Sequence, residues 1–116
     1  MRYISVMQSK TVQKLLSERS RLVAELGTLS HILRGSWVER YSVCSRANCK
    51  CHGGERHGPR RYLVVNEGGR QRQKYVPNSC VDDALKGLAQ YRRLQDIVDR
   101  LTQVNLALMK ETSRGT

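Results

Sequence analysis

Apolar residues in this chain gather towards its two ends at spacings of three and four, while the middle alternates apolar with polar and is broken by glycine. Over residues 9–35, Val12, Leu26 and Leu33 form one row, Leu15, Leu22 and Leu29 the next, and Leu16 and Val23 lie beside them. That spacing predicts a first helix whose apolar stripe needs a partner. Arg19 falls in the first row, so the stripe is either wet at that level or pairs Arg19 with an acid. Ser9 or Thr11 is placed to cap the start. Arg34 followed by Gly35 is placed to close the end, because glycine accepts the left-handed conformation of a helix stop.

A second helix is predicted over residues 78–111. Pro77 precedes it, and Asp82 and Asp83 fall in its first turn, where carboxylates complement unsatisfied amide groups. Its stripe runs Ala84, Tyr91, Leu94, Val98, Leu101, Asn105 and Leu108, with Ile97 and Val104 broadening it. Gly87, on the same stripe, costs roughly 1 kcal/mol of helix propensity relative to Ala but permits a close approach. Asn105 interrupts the stripe as Arg19 does in the first helix. A lone Asn in an apolar seam sets register by pairing with its copy across a homodimer; near a fraying end it is simply solvated. Residues 112–116 are expected to be disordered.

Residues 36–77 read as a small sheet. Ser36 to Val43 alternates, with Trp37, Glu39, Tyr41 and Val43 on one side. Arg61 to Val65 and Arg72 to Val76 read as two strands joined by Asn66, Glu67, Gly68 and Gly69, a favourable hairpin turn. The predicted fold is therefore α+β and a single domain over residues 1–116. Two long helices, paired as a hairpin or as a coiled-coil stalk, flank a three-stranded antiparallel sheet.

Composition changes this picture in two ways. The chain of 116 residues has no Phe, so the middle is poor in core material and a metal staple would help it fold. The formal net charge is +11, which favours an anionic partner. Residues 37–76 hold nine basic side chains against Glu39, Glu55 and Glu67, whereas the last 40 residues are nearly neutral. No apolar run reaches the length of about 18 residues needed to span a bilayer, and the N-terminus lacks a secretory pattern. The expected location is the cytoplasm, where thiols stay reduced and bind metals more often than they form disulfides.

Residues 44–57 pack three thiols and two imidazoles into a stretch rich in turn formers. Thiolate and imidazole in a tetrahedral shell are the ligands Zn2+ takes in a closed structural site. Cys44, Cys49, Cys51 and His57 are the predicted ligands. His52 follows Cys51 directly and would need a sharp backbone turn to face the same ion, whereas His57 returns after Gly53 and Gly54. Cys80 is the other alternative for the fourth position. Free thiols in a loop are the competing reading. Four protein ligands leave no open position for a reacting water, and the region holds no paired carboxylates, so a metal-dependent hydrolase or nuclease is not expected.

The order C-x4-C-x-C-x5-HGP, an aromatic strand, a basic Gly-Gly hairpin, a Tyr-Val-Pro end and a Leu-rich helix resembles a small uncharacterised prokaryotic family. The residues that carry the resemblance are Cys44, Cys49, Cys51, His57, Gly58, Pro59, Tyr62, Gly68, Gly69, Tyr75, Val76 and Pro77, in most of the chain from Trp37 onwards. Members occur in bacteria, archaea and mobile elements without an established activity, so the resemblance implies a fold and leaves function to the residues. Many members have an aromatic after the HGP where this chain has Arg60 and Arg61.

On the third strand, alternation places Arg70, Arg72 and Lys74 on one side and Gln71, Gln73 and Tyr75 on the other. One side would track phosphates while the other reads base edges in a major groove, which admits a two-stranded ribbon. Arg46, Lys50, Arg56, Arg60, Arg61, Arg70, Arg72 and Lys74 are the predicted nucleic-acid contacts, with DNA ahead of RNA. The expected function is a non-enzymatic, zinc-stabilised nucleic-acid-binding regulator or accessory protein, dimeric and associated with a mobile element. The alternative is an interaction module or inhibitor that docks a protein through its helices and basic head. Trp37 is expected to anchor the core, Tyr62 and Tyr75 to pack across strands, and His31 to have no role. Replacing Cys44 or Cys49 with Ala should remove the zinc and unfold residues 36–77 while leaving much of the helix content. Metal analysis with an amide NMR spectrum checks this, and an intact hairpin in either variant would overturn the zinc assignment.

Overall fold

The computed structural model describes residues 9–42 and 57–114. In chain order these form α1 (Lys10–Leu26), β1 (Ser36–Ser42), β2 (His57–Glu67), β3 (Arg70–Val76), a 3-10 turn (Asn78–Cys80) and α2 (Val81–Arg114). The α+β class and the antiparallel sheet agree with the sequence reading, and the strand order is β1-β2-β3. The chain divides into two compact units: residues 31–89, and the chain before residue 31 together with the chain after residue 89. No helix among the described residues is long and apolar enough to cross a membrane.

In the sheet unit, β2 is central and pairs with β3 from Arg61↔Val76 to Glu67↔Arg70. Both hairpin strands, β2 and β3, extend further towards the turn than the pattern predicted. Gly68 and Gly69 take positive φ of 59° and 84°, the pair of left-handed residues that closes a two-residue turn matching strand twist. The Asn66 side chain accepts a bond from the Gly69 amide at 3.0 Å, so pairing continues up to the turn. β1 pairs with β2 from Ser36↔Val64 to Ser42↔His57, with a register shift between Arg40 and Ser42. Opposite that shift lie Gly58 and Pro59, and proline, which cannot donate to a ladder, is tolerated at such an irregularity.

One side of this sheet carries the core. Leu63 and Val76 are buried with Ala84 and Leu88 from the start of α2, and Leu33, Trp37, Val65 and Val81 pack against them. Trp37 is thus the core anchor that the sequence suggested. Two glycines set how closely the layers approach. A Cβ on Gly87 would come within 2.5 Å of the His31 carbonyl oxygen, and the Leu33 amide bonds to the Gly87 carbonyl at 3.0 Å. At Gly35 a Cβ would come within 2.7 Å of the Val64 carbonyl oxygen. Gly35 was expected to stop a helix; instead it lets the chain pass close over β2 on its way into β1.

The first helix is correspondingly shorter than predicted, ending at Leu26 instead of about Arg34. Ser9 caps its start, accepting a bond from the Val12 amide at 3.1 Å. At its end the Gly27 amide bonds to the Ala24 carbonyl, while the Thr28 hydroxyl takes the Glu25 carbonyl at 2.7 Å. A weak helix former followed by a residue that captures a free carbonyl closes the helix, although Leu29 and Leu33 keep helical spacing.

In the two-helix unit, α1 and the later part of α2 run antiparallel, joined by Arg93 to Glu25 and Arg100 to Glu18 through paired bonds from each guanidinium. The buried residues are Leu22, Ile97 and Val104, and Ile97 is 0 % exposed while Val98 is 48 % exposed. The seam therefore centres on Ile97 and Val104, which the pattern had placed at its edge. With 3.6 residues per turn, neighbouring positions both satisfy three-and-four spacing, and only the facing helix distinguishes them. Asn105 moves to the margin, where its side-chain oxygen accepts a bond from Arg19 at 3.2 Å. The two polar interruptions of the two stripes thus meet, and the residue read as a homodimer register mark has a partner within its own chain.

Hydrogen bonds from Arg100 and Arg93 hold the Glu18 and Glu25 carboxyls below the ordinary value of 4.5, against the opposing effect of desolvation. Their contribution to stability is fully present above pH 4.5 and fades as the pH falls through the lower values of the folded state. Urea unfolding followed by helix signal should therefore lose stability below that point, and Glu18→Gln with Glu25→Gln should flatten that part of the profile.

Candidate nucleic-acid interface

The candidate interface is the sheet unit, whose strand alternation separates two chemically different faces. Of the predicted metal ligands, Cys44, Cys49 and Cys51, and the alternative His52, lie outside the described residues, as do the predicted contacts Arg46, Lys50 and Arg56. His57 opens β2 opposite Ser42, so the two described residues that flank 43–56 are cross-strand partners. Cys80 is exposed in the 3-10 turn, its sulfur 3.9 Å from the Ser79 hydroxyl.

The core face carries Trp37, Glu39, Arg61, Leu63, Val65, Glu67, Arg70, Arg72, Lys74 and Val76, since cross-strand partners share a side. Arg61 is committed there to structure. Its Nε donates to Glu39 Oε2 at 3.2 Å and its Nη1 to Asn78 Oδ1 at 3.1 Å, while the Trp37 indole donates to the same Glu39 oxygen at 3.2 Å. This cluster ties β1 and β2 to the turn that starts α2. Further along, Glu67 holds Lys74 at 3.2 Å and Arg72 at 3.6 Å. These are exposed pairs that contribute little and exchange readily for another anion. Arg70 sits beside the turn with no carboxylate among the described residues paired to it.

The opposite, open face carries Val38, Arg40, Arg60, Tyr62, Val64, Gln71, Gln73 and Tyr75. Tyr62 and Tyr75 are direct cross-strand partners with ring centroids 5.8 Å apart at 68°, an edge-to-face arrangement. The Arg40 guanidinium lies 5.7 Å from the Tyr62 ring centroid, within cation–π range. The Gln73 amide, oriented with its oxygen towards Arg40, accepts from Arg40 Nη2 at 2.8 Å and Nε at 3.3 Å. Arg40 also stands opposite Arg60 across the β1–β2 ladder.

The structure thus divides the predicted basic residues between faces, with Arg61, Arg70, Arg72 and Lys74 on one and Arg60 on the other. It also brings Arg40, Gln73 and the two tyrosines together, with Arg60 as the cross-strand partner of Arg40. Arg40 was missed as a site residue because its strand pairing depends on a register between strands separated by 14 residues of sequence. The available signal was alternation from Trp37, which already placed Arg40 away from the core.

A family model described as "Domain of unknown function (DUF6788)" matches residues 12–86. No curated protein and no solved structure matches the chain.

Arg60→Ala and Arg61→Ala should behave differently despite their adjacency. Losing the Arg61 bonds should cost about 1–3 kcal/mol of stability, while the Arg60 change should stay within about 0.5 kcal/mol. Thermal unfolding of both variants decides this, and equal melting points would show that the Glu39–Arg61–Asn78 cluster has no structural weight.

Proposed function

The chain belongs to the family described as "Domain of unknown function (DUF6788)", and on that premise we propose, from its own residues, that it is a zinc-stabilised nucleic-acid-binding protein, a regulator or accessory factor. The observation that carries this reading is the concentration of exposed positive charge on the β2–β3 hairpin. Arg60, Arg70, Arg72 and Lys74 are exposed there, with Glu67 the hairpin's own acid. Such clustering supplies the salt-dependent, sequence-independent share of nucleic-acid affinity. Arg61 supports the sheet in this reading and the other basic residues make contacts.

Zinc would be held by Cys44, Cys49, Cys51 and His57, with His52 or Cys80 as the alternative fourth ligand. The pairing of Ser42 with His57 favours this, because Cys44 follows Ser42 by two residues and His57 is Ser42's cross-strand partner. The ion would supply rigidity, so that less ordering entropy is lost when an anionic partner is bound. No catalytic step is assigned to it.

A protein-interaction role has one observation in its favour: Val23, Val98, Leu106 and Met109 are exposed apolar side chains in the two-helix unit. A second copy of the chain or a protein partner would bury them. Recovery of a specific partner after nuclease treatment would favour this alternative.

Binding of metal-analysed protein to labelled nucleic acid across a salt series tests the main reading. Affinity should fall steeply with salt, and Arg72→Ala should weaken binding and reduce the logarithmic salt slope by about one phosphate contact, near 0.7–0.9. Zinc content should be unchanged. No binding at low salt would overturn the proposal, and joint loss of zinc and binding in Arg72→Ala would show that Arg72 acts on folding.

A further inference from the structure

The open face of the sheet holds an arrangement that core packing does not require. Trp37, Leu63 and Val76 fill the opposite face, yet Tyr75, the penultimate residue of a paired strand, remains 60 % exposed. Its ring is not loose, because Tyr62 meets it edge-to-face at 5.8 Å. Tyr62 in turn is roofed by Arg40, whose guanidinium meets the Gln73 oxygen when that amide is assigned from its hydrogen-bond partners. The result is a preorganised aromatic surface with a fixed cation at its edge.

The charge pattern beside it points to an anion. Arg40 and Arg60 are cross-strand partners, and like charges directly opposite destabilise a sheet. No carboxylate among the described residues forms an ion pair with either. A phosphate beside this pair would offset its like charge and gain two cationic partners.

We propose that this face is a stacking platform for single-stranded nucleic acid, with Tyr75 taking the face of an unpaired base and Arg40 and Arg60 the adjoining phosphates. The inference rests on the nucleic-acid reading above and specifies its ligand. Base–aromatic stacking beside a basic track is how strands are held without sequence readout. A duplex keeps its base faces covered and offers only edges, so it has nothing to place on Tyr75. The sheet is also three strands wide between the Ser36↔Val64 and Glu39↔Arg61 pairs, about 10 Å between its outer strands before side chains are added. The two-stranded ribbon that a major groove admits is confined to the sheet's two ends, beyond Val64 and before Arg61. RNA and DNA single strands share the recognised chemistry.

The test uses full-length, zinc-loaded protein and fluorescence anisotropy with a labelled DNA single strand, an RNA of the same sequence and the matching DNA duplex at fixed salt. At least one single strand should bind about tenfold or more tightly than the duplex, and the tighter of the two identifies the source. Tyr75→Ala should weaken single-strand binding on the order of tenfold, the loss of one stack, with the salt slope unchanged. Tyr75→Phe should retain binding, and unaltered Trp37 emission should show that the core of the Ala variant is intact. Duplex bound as tightly as either strand, or Tyr75→Ala bound like the parent, would overturn the inference while leaving nucleic-acid binding in place. Failure of the parent protein to bind any of the three would overturn both.

Discussion

The register of the β2–β3 hairpin is the constraint on which the sheet unit depends. Successive side chains in a strand point to opposite sides and cross-strand partners share a side, so a slip of one residue with Leu63 kept inside would exchange Val76 for Tyr75 on the core side. Gly68 and Gly69 prevent that slip, because their positive φ values make the turn two residues long and leave Glu67 opposite Arg70. Everything else on the head follows from that pairing. Trp37 enters the core, Arg61 reaches Glu39 and Asn78, and Arg40, Arg60, Tyr62 and Tyr75 share the face turned away from it.

Close backbone approach is the second physical theme. Gly35 and Gly87 each sit where even a methyl group would press on a carbonyl oxygen of a neighbouring segment. At Gly87 the gain is a hydrogen bond from Leu33 to the helix carbonyl and a short path for Leu33 into the core. This outweighs the roughly 1 kcal/mol of helix propensity that glycine gives up relative to alanine. In the two-helix unit the theme is instead polar matching. Arg19 and Asn105 would each be costly against an apolar surface, and at the margin they satisfy one another.

Much of this was legible in residue order. Apolar spacing located both helices, alternation located all three strands, and the Gly-Gly turn located the hairpin. The misses have specific causes. Apolar spacing continued through Gly27 and Thr28, but the local hydrogen bonds that close α1 there have no periodic signal. Ile97 and Val98 fit the same stripe equally well until the partner helix is present. Arg61 read as one more contact in a basic run, and its commitment to Glu39 and Asn78 links residues 22 and 17 positions away.

By itself, then, the sequence determined the element types, the α+β class, the location of positive charge and the dense thiol–imidazole segment at residues 44–57. These depend on local spacing and composition, which neighbours along the chain specify. Tertiary structure alone decided which basic residues are consumed by the scaffold, which seam position is buried, and that Arg40 joins Arg60, Tyr62, Gln73 and Tyr75 on one face. Those outcomes depend on cross-strand register and on which segment lies opposite, and both are set by contacts between residues far apart in the chain.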